Sequence, residues 1–419
     1  MFDSPPREGR LVSWLEVAMW TMLIYLTIPF ARGIQQFITQ YTSRVLFSYV
    51  VVACILTGTL LGVLYLWRRR ADVSRLQFTW LVGTSMIYLG STYHLRQTPE
   101  EALHFIEYGV LGILVFRAFS HRMRDGFIYV CTFLLCTILG TFDEMIQWFT
   151  PRRYWDYRDV WLNMTASGLM QIAFAQGIRP RMIVKAVKRE SVRKACCLSA
   201  TELLVLSICV ANLPNRIISY AAGISSLPIL QKNLTLMTEF GYRHEAPDMG
   251  VFFSRFTVEE LRQLDLVRAE DGARILDQYQ HTERYNDFLR TYTPVTDPFL
   301  HELRVHLFRR DHYRFSANRQ TNDEVLYRDH STVAYRENQI VEQFFPRTVA
   351  ASNYKLCPSE VKKLQEHANA KKFDYVSPVS ENLITAYREW HLQALIWGFI
   401  AMVFVVHRFC GMRIVDSTS

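Results

Sequence analysis

The sequence predicts an all-α protein: a polytopic bundle of about eight transmembrane helices with a mostly helical extracytoplasmic domain. Half of the 419 residues are apolar, and eight apolar runs approach the roughly 20 residues that cross a bilayer. Mean hydropathy is nevertheless near zero, because a polar block at about residues 223–390 offsets the runs. Helix-start signals recur through that block.

The apolar runs divide the chain into five segments. An N-terminal hairpin takes residues 1–75, a core of four runs takes 76–177, and a basic loop with the seventh run takes 178–222. The polar block at 223–390 follows, and a final run with a short tail takes 391–419. The predicted spans are 11–30, 45–67, 76–93, 103–119, 127–142, 160–175, 198–218 and 391–409.

Basic residues in alternate loops orient the bundle, since short loops rich in arginine and lysine stay in the cytoplasm. Both termini are then cytoplasmic, and the polar block lies outside with one end each of the fourth, fifth and sixth helices. The net charge of +8 largely reflects these loops, so we predict attraction to anionic lipid and no nucleic-acid binding. The basic residues are Arg68, Arg69, Arg70, Arg75, Arg117, Arg122, Arg124, Arg179, Arg181, Lys185, Lys188, Arg189, Arg193 and Lys194.

Three helix starts are predicted in the polar block. Thr257 and Glu260 form a capping box, Asp297 precedes a proline at the first helical position, and Pro358 opens another helix. A last helix is expected to begin at about Ser380 and to run unbroken into the final span. The helix after Asp297 has an apolar stripe at helical spacing, formed by Phe299, Leu300, Leu303 and Leu307.

No metal or cofactor is predicted. His301, Glu302 and His306 suggest a zinc-protease triplet, but histidines that share a zinc on one helical face are four residues apart, and these are five apart. Cys357 is the only cysteine in the block, so a disulfide within it is excluded.

The most informative segment is residues 100–168, where ionisable residues fall within predicted spans. Charged groups at that depth are costly, face the bundle interior and mark a functional site. On each of three helices they are three or four residues apart and share a face, except Glu144, which is turned about 100° from Asp143. The predicted site is His104, Glu107, Tyr108, Asp143, Glu144, Gln147, Arg152, Arg153, Asp159 and Asn163.

Several chemistries suit this set. The four carboxylates of this set oppose its histidine, its two arginines and the neighbouring Arg158, so an internal ion-pair network could tie the helices together. His104 and Glu107 could act as general acid and base, and the arginines could fork onto a phosphate or carboxylate. A metal bound by His104 and carboxylates would lack a second histidine in register. No catalytic residue is assigned, and the alternatives stay open.

The motif HFIEYGVLG, followed by DEMIQWFTPRR and DVWLN, resembles the VanZ-like family of bacterial membrane proteins over about residues 80–177. Two positions depart from the family pattern, since Arg152 and Ala166 stand where glycine is usual. These departures concern the shape of a turn and the closeness of helix packing. The matching residues are His104, Glu107, Tyr108, Asp143, Glu144, Gln147, Arg153, Asp159 and Asn163.

The resemblance implies a multi-pass protein of the bacterial inner membrane, in a family whose founding member is associated with resistance to the glycopeptide teicoplanin. The leading hypothesis is that the site recognises or modifies a lipid-linked or peptidoglycan-related envelope component. Membrane lipid is then a partner, and residues 223–390 recruit an envelope precursor or protein. A non-catalytic scaffold is the alternative. Transport of a solute or proton is a third hypothesis, weakened because the inward helix ends carry no matching charged set.

Overall fold

The computed structural model describes residues 6, 8–150, 153–225, 227–232, 236–246, 249–319, 323–368 and 375–412. The chain is helical throughout except for one two-stranded antiparallel sheet in its described part, which confirms the predicted all-α class. Internal contacts divide it into a membrane unit, Met1–Ile208 with Ala394–Ser419, and a polar unit, Cys209–Gln393.

The helices of the membrane unit follow the apolar runs of the sequence except α2, which lies between the first two runs and was not predicted. They are α1 (Arg10–Thr27), α2 (Ala31–Tyr41), α3 (Val45–Arg68), α4 (Arg75–His94), α5 (Leu103–Ser120), α6 (Phe127–Phe149), α7 (Tyr157–Ile172) and α8 (Arg189–Val210). A π-helical turn, Ala173–Ile178, extends α7.

The polar unit follows along the chain. It contains α9 (Pro214–Gly223), β1 (Tyr242–Ala246), β2 (Gly250–Ser254), α10 (Val258–Gln278), α11 (Tyr285–Thr291), α12 (Pro298–Arg319), α13 (Glu324–Phe344), α14 (Pro346–Ala351) and α15 (Pro358–His367), and the chain then continues into α16 (Glu389–Met412).

Fewer helices than the predicted eight meet the length and composition of a membrane span. In the described part of the chain four qualify, namely α3, α5 with its preceding turn, α6 and α16, and two bent helix pairs raise the number to six. The runs at 76–93 and 160–175 are helical, but α7 has only 16 residues and hydroxyl side chains recur along α4.

Two of the predicted spans are interrupted by proline. Helix α1 ends two residues before Pro29, and α2 then continues at a bend of 68°. The run at 198–218 is broken after Val210, and Pro214 opens α9. Proline removes a backbone donor and disfavours helix in the preceding residue, which explains both breaks.

Helices α5, α6 and α7 form the centre of the membrane unit. Tyr108, Leu111 and Val115 of α5 are fully buried and pack with Cys136 of α6 and Ala166 of α7. About half of the α5 and α6 spans is buried, whereas the described α16 span has no buried residue. The ionisable residues of the predicted site therefore belong to the most enclosed helices.

The predicted helix starts of the polar unit are confirmed. Thr257 and Glu260 form the capping box of α10, the Asp297 side chain accepts from the backbone of Leu300 at the start of α12, and Pro358 begins α15. The four stripe residues of α12 are at most 1% exposed and lie in one core.

The expectation of a helix from about Ser380 is wrong. Ser380 has a positive φ of 58°, which a helix does not accommodate, and α16 starts only at Glu389. The preceding segment instead pairs with the residues just before β1, because the Gly241 N–H donates to the Ile384 carbonyl at 3.1 Å and the Ile384 N–H donates to the Glu239 carbonyl at 2.9 Å.

Candidate functional site

Helix α5 carries three predicted site residues on one face. Nδ1 of His104 lies 3.4 Å from Oε2 of Glu107, one turn later. Tyr108 is fully buried, and its hydroxyl donates to Oδ2 of Asp143 at 3.1 Å. This hydrogen bond joins α5 to α6 inside the bundle.

Helix α6 ends in a short chain of polar contacts. Nε2 of Gln147 donates to Oε1 of Glu144 at 2.7 Å, and Oε1 of Gln147 accepts from Nη2 of Arg153. Asp143, Glu144 and Gln147 are all buried. Arg153 thus reaches back to the helix end, whereas Arg152 lies outside the described residues.

Helix α7 positions the last two predicted residues. Its N-cap is Asp156, which accepts from the backbone N–H of Arg158 at 2.8 Å. Asp159 lies in the first turn, and Asn163, one turn later, is fully buried. Gly140 of α6 allows this close approach, because a Cβ at that position would lie 2.9 Å from Cβ of Asn163.

One cavity of about 340 Å³ gathers most of these side chains. Tyr108, Glu144 and Asn163 are not among its lining residues and contact the helices that form its wall. Six predicted residues do line it: His104, Glu107, Asp143, Gln147, Arg153 and Asp159.

The apolar part of the lining comes from the N-terminal helices. It includes Ile24 of α1, Ile28 in the bend that follows, Ile34 of α2 and Phe47 of α3, beside the polar Arg32 and Gln35 of α2. The bend between α1 and α2 brings both helices to the cavity. The lining is therefore mainly charged where α5–α7 and their preceding turns contribute, and mainly apolar where α1–α3 contribute.

Several buried polar atoms around the cavity lack a hydrogen-bond partner within the described residues. They include Oδ1 of Asp143, Oε2 of Glu144 and both amide atoms of Asn163. Nδ1 of His104 also makes no hydrogen bond, although Glu107 is near. More than about 90% of buried polar groups in proteins are paired, so this grouping calls for a partner from outside the chain.

Sequence reasoning missed three carboxylates of the lining, those of Glu100, Glu101 and Asp156. Oε1 of Glu100 accepts from Nε2 of Gln35 at 2.8 Å, which ties α2 to the start of α5. Oε2 of Glu101 lies 2.9 Å from Nη2 of Arg158. The available signal was position, since Glu100 and Glu101 precede His104 by about one turn and Asp156 precedes Asp159 by about one turn.

Glu202 of α8 is another buried carboxylate that was missed. It is 6% exposed and accepts from Oγ1 of Thr141 at 2.9 Å, but it does not line the cavity. A lone glutamate within the apolar run at 198–218 was the signal, by the same argument that singled out Glu107.

The lining is more acidic than the nearly balanced set predicted from sequence. Among the described lining residues, six carboxylates face only Arg32, His104 and Arg153. Arg158, which the prediction counted with the site, pairs with Glu101 and is not a lining residue.

No group of three His, Cys, Asp or Glu residues within the described ranges has an arrangement that could hold a metal ion.

The charged motif on α5–α7, its glycine-assisted packing and the apolar wall from α1–α3 lie in one continuous segment. Residues 12–178 match the sequence profile of the VanZ/LLP1 family. This segment belongs to the VanZ/LLP1 family. No curated protein and no solved structure matches the chain.

The VanZ-like segment is longer than the motifs indicated. The resemblance in sequence was placed at residues 80–177, whereas the match begins at residue 12 and takes in α1–α3. Both walls of the cavity therefore fall inside the VanZ-like segment. Helix α8, the polar unit and α16 lie outside it.

Proposed function

We propose that the cavity of this VanZ-like membrane protein binds a lipid-linked or peptidoglycan-related component of the bacterial envelope. The observation that carries the proposal is the set of unpartnered buried polar atoms beside an open volume. An unsatisfied buried polar group costs about 1–3 kcal/mol, and more when it is charged. A ligand in the cavity can supply partners to those atoms that belong to its lining, namely Oδ1 of Asp143, Nδ1 of His104 and Nε of Arg153, so these atoms favour an occupied site.

The two unlike walls support an amphiphilic ligand. A polar headgroup can contact Asp143, Asp159 and Arg153, while a hydrocarbon chain can lie against Ile28 and Phe47. Binding pockets for small molecules typically span about 300–1,000 Å³, so a cavity of about 340 Å³ suits a headgroup with the first part of its chain.

In this proposal the protein lies in the inner membrane with both termini in the cytoplasm, and the cavity opens toward the outer leaflet. The basic loops support that orientation. Occupation of the site by an envelope component links the protein to teicoplanin susceptibility, and the polar block at 223–390 recruits a precursor or another envelope protein.

Arg153→Lys tests binding against a purely structural role. The guanidinium donates to Gln147, and its Nε is buried without a partner, so part of the donor fork remains available for a phosphate or carboxylate. Lysine keeps the charge but lacks the planar pair of donors. We expect the variant to be inserted at normal abundance and to give the teicoplanin susceptibility of a deletion strain, measured as the minimum inhibitory concentration.

Arg158→Lys is the matched control, because Arg158 pairs with Glu101 from the same part of the chain and does not line the cavity. It should keep wild-type susceptibility. Full activity of Arg153→Lys, or its degradation in the cell, would instead favour the scaffold, in which the polar network only holds the helices together.

A further inference from the structure

The carboxylates of the cavity differ in whether the chain itself neutralises them. Glu100 contacts Arg44, and Glu101 contacts Arg158. Glu107 lies against His104. Glu100 and Glu101 thus each have an arginine partner and Glu107 has the imidazole of His104, so the chain itself supplies a partner to each of these three acidic groups.

The sixth carboxylate, Asp156, is used by the chain as the N-cap of α7, where it accepts from the backbone N–H of Arg158. Asp143 and Asp159 have neither a cationic partner nor a capping role. Neither makes an ion pair with a cationic side chain anywhere in the described ranges, although both line the cavity. Asp143 is 2% exposed, accepts one hydrogen bond from Tyr108 and leaves Oδ1 without any. An uncompensated buried carboxylate is strongly unfavourable, and a cation at this place relieves it.

We infer that the bound headgroup carries a primary ammonium group held between Asp143 and Asp159, an inference that rests on the proposed function. An ammonium ion has three donors and no acceptor, which suits the unpartnered Oδ1 of Asp143 and the carboxylate of Asp159. Charge-assisted hydrogen bonds of this kind are among the strongest in proteins. A carboxylate or phosphate alone would add negative charge to a lining that is already acidic.

Arg153 gives the headgroup a second contact. It makes no ion pair with a carboxylate in the part of the chain that the structure describes, and it lines the same cavity as the two aspartates. A phosphate beside the ammonium group would bind there. The ligand class is thus an amphiphile with a zwitterionic phosphate–amine headgroup, either an aminophospholipid or a lipid-linked precursor that bears a free amine.

The test uses the full-length protein captured from detergent micelles that contain phosphatidylethanolamine, its N-acetylated derivative and phosphatidylglycerol in equal amounts and with the same acyl chains. Retained lipid is quantified by mass spectrometry. We expect phosphatidylethanolamine to be enriched about tenfold over both others, the ratio that one strong charge-assisted contact provides.

The double variant Asp143→Asn, Asp159→Asn should abolish this preference. Glu202→Gln is the matched control, because it removes a buried carboxylate of the same unit outside the cavity, and it should keep the preference. Should the double variant not insert, Asp159→Asn alone is used with the same expectation.

A second arm separates the two sources of the amine. Lipid extract from the host membrane replaces the defined mixture, and mass spectrometry of the captured fraction distinguishes an aminophospholipid from a lipid-linked precursor. Chemical N-acetylation of the extract should prevent capture of either one.

Equal retention of the N-acetylated lipid, enrichment of phosphatidylglycerol, or a preference that survives the double variant would overturn the ammonium assignment. If a lipid without an amine is captured and Arg153→Lys loses it, only this assignment fails and the proposed function stands. If no lipid is enriched from either mixture, both fail.

Discussion

Each unit of the molecule contains a buried carboxylate, and the two carboxylates differ in how many hydrogen-bond partners the chain supplies to them. In the polar unit Glu337 is fully buried, and its Oε1 accepts from Arg309, Tyr375 and Ser377 at 3.0, 2.6 and 2.8 Å. Its Oε2 lies 2.6 Å from Nδ1 of His306. Burial raises the pKa of Glu337, but His306 and the hydroxyl donors outweigh burial and hold the pKa below its usual value.

Asp143 of the membrane unit is nearly as buried but accepts a single hydrogen bond, from Tyr108. It faces a cavity, whereas Glu337 is enclosed by its own partners. The contrast teaches that a buried charge with all its partners supplied by the chain stabilises the fold, while one with partners missing is available to a ligand.

The largest expected effect tests that contrast directly. Glu337→Gln should destabilise the polar unit by about 3–5 kcal/mol, because removing one partner leaves the other buried charges uncompensated. Asp143→Asn should not destabilise the membrane unit, because it removes a buried charge that lacks a cationic partner and asparagine still accepts from Tyr108. Hydrogen exchange of α12 and α13 against α6, in the full-length protein in detergent, measures both.

A large loss of protection in α6 after Asp143→Asn would break the comparison, since it would make Asp143 a structural carboxylate like Glu337. Unchanged hydrogen exchange in α12 and α13 after Glu337→Gln would also contradict the comparison, because it would show that Glu337 does not stabilise the polar unit.

A second effect, of intermediate size, concerns pH and the polar unit. Burial and the nearby charge of Arg255 lower the pKa of His301 to about 4, and its Nδ1 contacts the Tyr292 carbonyl at 2.9 Å. Below about pH 6.5 the unfolded chain binds a proton at His301 that the folded chain excludes until about pH 4. Stability should therefore fall by about 2 kcal/mol between pH 6.5 and pH 5.

Thermal unfolding of the polar unit at the two pH values checks this prediction. His301→Gln, which cannot titrate, should lose most of the dependence. A wild-type stability that is flat across this range would mean that His301 is protonated in the folded protein.

The smallest expected effect concerns the close packing of α6 against α7 at Gly140. Gly140→Ala would place a methyl group 2.9 Å from Cβ of Asn163 and 3.2 Å from a ring carbon of Tyr108. Such overpacking should cost about 1 kcal/mol, measured as a lower midpoint of thermal unfolding in detergent. Gly83→Ala in α4 is the control, because nothing lies within 4 Å of its added Cβ and alanine favours the helix. An unchanged midpoint for Gly140→Ala would show that α6 and α7 are not held by close packing there.

The charged side of the cavity could be predicted from sequence because its residues are three or four apart on apolar helices. His104 and Glu107, or Asp143 and Gln147, share a face whatever the neighbouring helices do, and an apolar setting directs that face inward. Spacing could not show which carboxylates remain without a partner, since Gln35 and Arg44 reach Glu100 from distant parts of the chain.

The apolar wall and the Glu337 network were missed for different reasons. Pro29 lies in the first apolar run, and weighing it would have predicted the break between α1 and α2. The partners of Glu337 come from residues 306, 309, 375 and 377, which no local periodicity connects. The strands of the small sheet are likewise too short and weakly patterned to stand out among helices.

The pairing of Gly241 with Ile384 brings two distant points of the chain, which enclose most of the polar unit, next to each other. The chain enters and leaves this part of the unit through two segments that are hydrogen-bonded to each other, and domains with neighbouring ends tolerate transplantation. A short glycine–serine bridge across that junction would excise most of the unit without stretching the chain on either side. The VanZ-like segment could then be joined to a different domain at the same junction.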